Sequence, residues 1–181
     1  MVKKRKIIVI SGSPCSGKTY FINNALKNPE IKKLISLHSN YTVINANSIR
    51  SKAVNFDSHE NLVVHYDCMR SYKRGHEISS KNDPFLRFLE GEKGNVYVFI
   101  INTDIDTLKH RLEERVIRLA DNISPLRQAK LDNLMSLYQD SELYENELNK
   151  WFDYCSNVFI HNHTFIINNR DNRYKIEFVK K

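Results

Sequence analysis

The octapeptide Gly12-Ser13-Pro14-Cys15-Ser16-Gly17-Lys18-Thr19 constrains this chain more than any other stretch, because both of its flanks are constrained too. Before it runs Lys6-Ile7-Ile8-Val9-Ile10-Ser11, apolar on both faces as a buried parallel strand must be. After it, residues 18–27 read as a helix, ended at Asn28-Pro29 because the residue before proline resists helical angles. A strand, a turn with glycines at its two ends and a helix opening on Lys-Thr form the Walker A pattern. The glycines let the main chain turn sharply and bring N–H groups against phosphate oxygens, and the start of the helix adds its dipole. On this reading residues 12–19 cradle a nucleoside triphosphate, ATP or GTP. Lys18 reaches the β- and γ-phosphates, and the Thr19 hydroxyl is a ligand of Mg2+. A chance match in a chain of this length arises roughly once in 200, and the correct flanks make it rarer still.

Elsewhere short β-branched runs alternate with longer helical patterns, the signature of a parallel sheet with helices on both faces. The expected fold is α/β, a three-layer sandwich around a mostly parallel five-stranded sheet, entered through the phosphate loop. Strands are expected at 6–11, 41–45, 62–66 and 96–101, each apolar on both faces, with a fifth at 157–160 or 164–168 and an edge strand over 173–179. Thr103 and Asp106 have capping-box spacing ahead of a helix whose apolar stripe is Ile105, Leu108, Leu112, Val116 and Leu119. Ser124-Pro125 opens a second long helix, which continues with a break to Trp151 or Cys155.

With 181 residues, 41% hydrophobic and 27% charged, the chain is expected to form one globular domain over 1–181, with a helical lid region at about 104–125. No segment is long and apolar enough to span a membrane. The basic cluster Lys3-Lys4-Arg5-Lys6 leads into too short an apolar run for a signal peptide, so a cytoplasmic location is expected. Cys15, Cys68 and Cys155 have no metal-ligand spacing and read as free thiols. The net charge of +7 favours anionic partners. That charge permits a nucleic acid, but no motif for one is present. His161-Asn162-His163 lacks the frame of a nuclease metal site and reads as a turn.

Two further groups of residues carry chemistry. Asp67 ends the apolar run Leu62-Val63-Val64-His65-Tyr66, and ligands of open α/β sheets gather at the carboxyl ends of strands. There it would hold magnesium through water or take a proton from a substrate hydroxyl; the bland alternative is a helix cap. Arg111, Arg115 and Arg118 share one helical face, either to neutralise a transferring γ-phosphoryl group or to pair with Glu113 and Glu114 on a solvated surface. Between strands two and three and just after strand three, Arg50, Lys52, His59, Arg70, Lys73 and Arg74 collect. They suggest a site for an anionic acceptor, with Arg50, Arg70 and Arg74 as its ligands.

The strand, the Walker A loop, the Asp67 strand and the Leu108-x-x-Arg111-Leu112-x-x-Arg115 helix together resemble the P-loop kinases of the nucleoside, nucleotide and polynucleotide kinase group, over residues 6–120. The resemblance implies ATP-dependent phosphoryl transfer, with Lys18, Asp67, Arg111 and Arg115 as catalytic residues and Thr19 and Asp67 at the metal. The 5′-hydroxyl polynucleotide kinases carry an Asp-x-x-Arg pair after strand two, where this chain has Asn47-Ser48-Ile49-Arg50. An amide is no base, which leaves Arg50 as a phosphate ligand and Asp67 as the base candidate. A small nucleotide, a sugar phosphate or a nucleic-acid end fits as acceptor. The rival readings are an NTPase acting as a switch within an assembly, and a nucleotide-binding module without turnover.

Overall fold

The computed structural model describes residues 5–35, 40–52, 61–119, 123–160, 163–170 and 173–178. The chain opens with strand β1 (Ile7–Gly12), helix α1 (Lys18–Asn23), a 3₁₀ turn and helix α2 (Pro29–Leu34). Strand β2 (Tyr41–Asn45), the short helix α3 (Ala46–Arg50) and strand β3 (Asn61–Asp67) follow. After two 3₁₀ turns come helix α4 (Pro84–Gly91), strand β4 (Val96–Thr103) and the long helices α5 (Ile105–Leu119), α6 (Pro125–Gln139) and α7 (Ser141–Val158). Strands β5 (Thr164–Arg170) and β6 (Arg173–Phe178) end the described chain. The sheet runs β2-β3-β1-β4-β5-β6; the first five strands are parallel and β6 lies antiparallel on β5. The expected α/β sandwich is therefore the one observed, with an antiparallel edge strand at the expected place.

Successive residues of a strand face opposite sides of the sheet, so each central strand feeds two cores. Ile7 and Val9 of β1, with Val96, Val98 and Ile100 of β4, pack under α4 to α7. Ile8 and Ile10, with Phe99, Ile101 and Phe165, pack under α1 and α2. This double burial explains the unbroken apolar runs of β1, β3 and β4. It fails for β2, where Val43 is 51% exposed, because β2 is an edge strand and only one side of it is covered.

Two helix starts differ in detail from expectation. The cap of α5 is Asp104, whose Oδ1 accepts from the Thr107 N–H at 2.8 Å, and not Thr103. Thr103 is still in β4 and points inward, so its hydroxyl donates to Ser16 O instead. Ser124 caps α6 with Pro125 in the first turn, as expected, and the break before α7 falls at Asp140, which caps the next helix. Residues 157 and 158 belong to α7, which leaves 164–170 as the fifth strand.

Candidate functional site

The loop of residues 12–19 leaves the end of β1 at the centre of the sheet, between β3 and β4. A Cβ at Gly12 (φ 157°) would lie 2.6 Å from Ser16 Oγ and 3.0 Å from the Ile101 carbonyl oxygen, so any side chain there would force the loop to shift. Cys15 (φ 65°) and Gly17 (φ 92°) adopt left-handed angles, which turn successive N–H groups toward one side as in an anion-binding nest. Among the described residues no protein acceptor takes the N–H groups of Cys15, Gly17, Lys18 or Thr19. The first N–H groups of a helix have no intrahelical partner, so this set is a concentration of unspent donors.

The carbonyls of the same loop are all occupied. Lys18 Nζ donates to the Gly12 and Ser13 oxygens at 2.8 and 2.6 Å. Tyr138 OH donates to Pro14 O at 2.6 Å and Arg111 Nη1 to Cys15 O at 3.2 Å. Ser16 O accepts from Thr103 Oγ1 at 3.0 Å and from Asn169 Nδ2 at 3.1 Å. The loop thus curls with its acceptors outward. Lys18 is 5% exposed, and burial lowers its pKa, opposed chiefly by the charge of Asp67. A buried ammonium held on two carbonyls is a cation short of an anion. Ser16 Oγ is likewise buried without a partner, and Thr19 is exposed in the first turn of α1.

Asp67 stands beside Gly12 in the parallel register of β3 and β1. Its Oδ1 accepts from the Met69 N–H at 3.0 Å, so it caps the 3₁₀ turn that follows, and its Oδ2 is paired with Lys73. The helix-cap alternative is therefore the one observed, at a residue that also ends β3 beside Gly12. Among the described residues no three His, Cys, Asp or Glu side chains gather as a metal site.

Arg111 reaches the loop, whereas Arg115, one turn further along α5, is half-buried and makes no hydrogen bond or ion pair among the described residues. Arg118 is exposed near the end of α5. On the β3 side, Arg50 and Arg70 converge on Asp83, a residue the sequence did not single out. Arg50 Nε and Nη2 donate to Asp83 Oδ1 and Oδ2 at 2.7 and 2.6 Å, and Arg70 Nε lies 3.6 Å from Oδ2. Arg50 Nη1 also donates to Asn47 Oδ1 at 2.8 Å, and its guanidinium lies 5.5 Å from the ring centres of Tyr66 and Phe85. Arg74 and Lys52 are exposed, and His59 lies outside the described residues. Burial lowers the pKa of Arg70, with the charges of Arg50 and Arg74 next in effect.

Asp83 precedes Pro84, so its role as the cap of α4 was legible in the sequence; the ion pairs, which join residues 33 apart, were not. Thr103, Asn169, Tyr138 and Tyr144 were missed for the same reason. Beside Thr103 and Asn169 lies an open groove of about 550 Å³, walled by Asn102, Ile105, Leu148 and Phe152. His163, of the set-aside tripeptide, stacks on Tyr97 with ring centres 3.9 Å apart, while residues 161 and 162 are outside the described set. Cys68 is buried, which pushes its thiol up to about 12 and leaves it unreactive.

His65, two residues before Asp67, gives a stability prediction. Burial, and then the charge of Lys18, pull it from 6.5 to about 4. Between those values the unfolded chain binds a proton that the folded chain does not, so stability is full above the upper value and falls as pH drops toward the lower one. Urea midpoints measured across that window should decline with acid, and His65→Gln should flatten the decline. An equal slope in both proteins would remove His65 as its cause.

No family model and no curated protein matches the sequence. Among solved structures, the chain is similar to the YorR protein of Bacillus subtilis in complex with phosphorylated GDP, at 16% identity and a TM-score of 0.42, over 89% of this chain and 84% of that one. It is also similar to APE1195, at 14% identity and a TM-score of 0.40, over 76% of this chain and 97% of that one.

Proposed function

We propose that this chain is a single-domain phosphotransferase that moves the γ-phosphoryl group of ATP or GTP to an anionic acceptor. The observation that carries the reading is the loop of residues 12–19, which turns every carbonyl from Gly12 to Ser16 onto a donor and leaves four amides and a buried lysine for a polyphosphate. The groove lined by Thr103 and Asn169, which also bond Ser16 O, carries Asp104 and Glu145 and, among the described residues, no Lys or Arg, so it suits the nucleoside end of the donor better than its phosphates.

In this reading Lys18 leaves the carbonyls of Gly12 and Ser13 for the β- and γ-phosphates and neutralises charge that builds on them during transfer. Arg111 is already at the rim through Cys15 O, and with Arg115 it forms the working face of the α5 lid. Thr19, and Asp67 through water, would hold magnesium, which would supply positive charge to the phosphates during transfer. Asp67, freed from Lys73, accepts the proton of the acceptor hydroxyl. Arg70 and Arg74 hold the acceptor's anionic group, with Arg50 behind them on Asp83. The pairing of Asp67 with Lys73 favours a second reading, a nucleotide-binding NTPase or module with no acceptor, since it occupies the base.

Asp67→Asn separates the two readings. A general base contributes about a hundredfold to ten-thousandfold, so transfer of label from ATP into acceptor pools should fall by that order while calorimetric nucleotide binding stays. Undiminished transfer would strike Asp67 from the mechanism. Hydrolysis to ADP with no acceptor ever labelled in the parent protein would count for the NTPase reading.

A further inference from the structure

The outward bonds of the phosphate loop come from three directions, and one of them is the α6–α7 hairpin. A trans peptide unit is planar, with its C=O and the next residue's N–H pointing opposite ways. Whatever holds Pro14 O therefore aims the Cys15 N–H, and whatever holds Ser16 O aims the Gly17 N–H. Both amides belong to the set without a protein acceptor. Pro14 O is held by Tyr138 alone among the described residues, at 2.6 Å, and Cys15 sits in a left-handed conformation that a side-chain-bearing residue adopts at a cost.

We propose that the α6–α7 hairpin is a brace that sets the phosphate loop before nucleotide arrives, and that Tyr138 at the end of α6 is its principal positioning residue. Tyr138 is fully buried and meets Tyr144 of α7 edge-on, with ring centres 5.6 Å apart. The Tyr144 hydroxyl lies 3.4 Å from Ser13 Oγ, and Trp151 Nε1 donates to Ser11 Oγ at 2.9 Å, so α7 is tied to the end of the strand that launches the loop. Ser11 Oγ in turn donates to Phe99 O at 3.1 Å, which ties that corner to β4. Burial pushes the Tyr138 hydroxyl well above its ordinary pKa, so it stays protonated and remains a donor. The proposal rests on the phosphate-loop reading above and deepens it, by naming what sets the loop's shape.

The test is calorimetry of the full chain with Mg-tripolyphosphate and with Mg-ATP. Tyr138→Phe keeps the ring and removes one buried hydrogen bond, so both ligands should weaken by the same factor, about three- to tenfold. Tyr154→Phe is the control: Tyr154 lies on α7 as well, but its hydroxyl donates to Glu90 at 2.8 Å, away from the loop. It should lower the melting temperature and leave both affinities in place. Binding by the parent protein with no loss in Tyr138→Phe would overturn the brace and spare the phosphate-loop reading; no binding by the parent protein would overturn both. Hydrogen exchange of the parent chain tests the same coupling without a variant, because linkage is reciprocal. Tripolyphosphate should slow exchange over residues 138–151 as well as 12–19, and protection confined to 12–19 would overturn the proposal.

Discussion

Asp83→Ala is expected to lower the free energy of unfolding by about 3–5 kcal/mol, the usual result of removing one partner of a buried ion pair. The side chains of Asp83 and Arg50 are 7% and 11% exposed, so water cannot take the place of the lost carboxylate. Arg50 would be left against the Tyr66 and Phe85 rings with its charge uncompensated and with Arg70, the other cation on Asp83, beside it. The cap of α4, the bond from the Phe85 N–H to Asp83 Oδ1, would go as well. Against a typical domain stability of about 5–15 kcal/mol this is a large fraction, and it should appear as a lower urea midpoint with an unchanged slope. Replacing both partners, Arg50→Met with Asp83→Asn, should recover part of the loss, because no buried charge is then stranded at that pair. A loss below about 1 kcal/mol for Asp83→Ala would mean that the cluster is solvated and is not an anchor.

Lys18→Met is expected to behave in the opposite way, with a large effect on function and a small one on stability. The thioether keeps the apolar stem and removes the ammonium, a preorganised cation of the kind whose loss costs about a hundred- to a thousandfold in turnover. Label transfer from Mg-ATP should fall by at least that range. The folded state loses two hydrogen bonds, from Nζ to the Gly12 and Ser13 carbonyls, and is relieved of a buried charge whose pKa burial already depresses. These terms oppose each other, so the melting temperature should move by only about a few degrees. A collapse of the fold in this variant would show that the lysine serves the loop's architecture first and its ligand second.

The strand, turn and helix around residues 12–19 were legible because every requirement of them is local. Glycine at 12 and 17, the lysine and the threonine all lie within one turn of chain, and the flanking strand and helix announce themselves by period. The limits of that kind of reading show at Thr103. Its spacing to Asp106 matches a capping box, yet Asp104 caps the helix and Thr103 instead donates to Ser16 O across 87 residues. Local spacing cannot tell which of two adjacent polar residues the strand's pleat turns inward. Arg50 shows a second limit. As a basic residue it reads equally well as a phosphate ligand or a surface charge, and its engagement by Asp83 depends on α3 and α4 meeting.

By itself, then, the order of residues determined the elements, their parallel pairing as a class and the two-sided burial of the central strands, and it supplied the octapeptide on which the proposed polyphosphate site rests. These follow from backbone geometry and hydrophobic period, which act over a few residues. Only the folded chain decided which carbonyls of that octapeptide are held, by Tyr138, Arg111, Thr103 and Asn169, and which carboxylate the basic cluster closes on. Those contacts join residues far apart in sequence, and a hydrogen bond a few ångströms long carries no trace in the spacing of its partners along the chain.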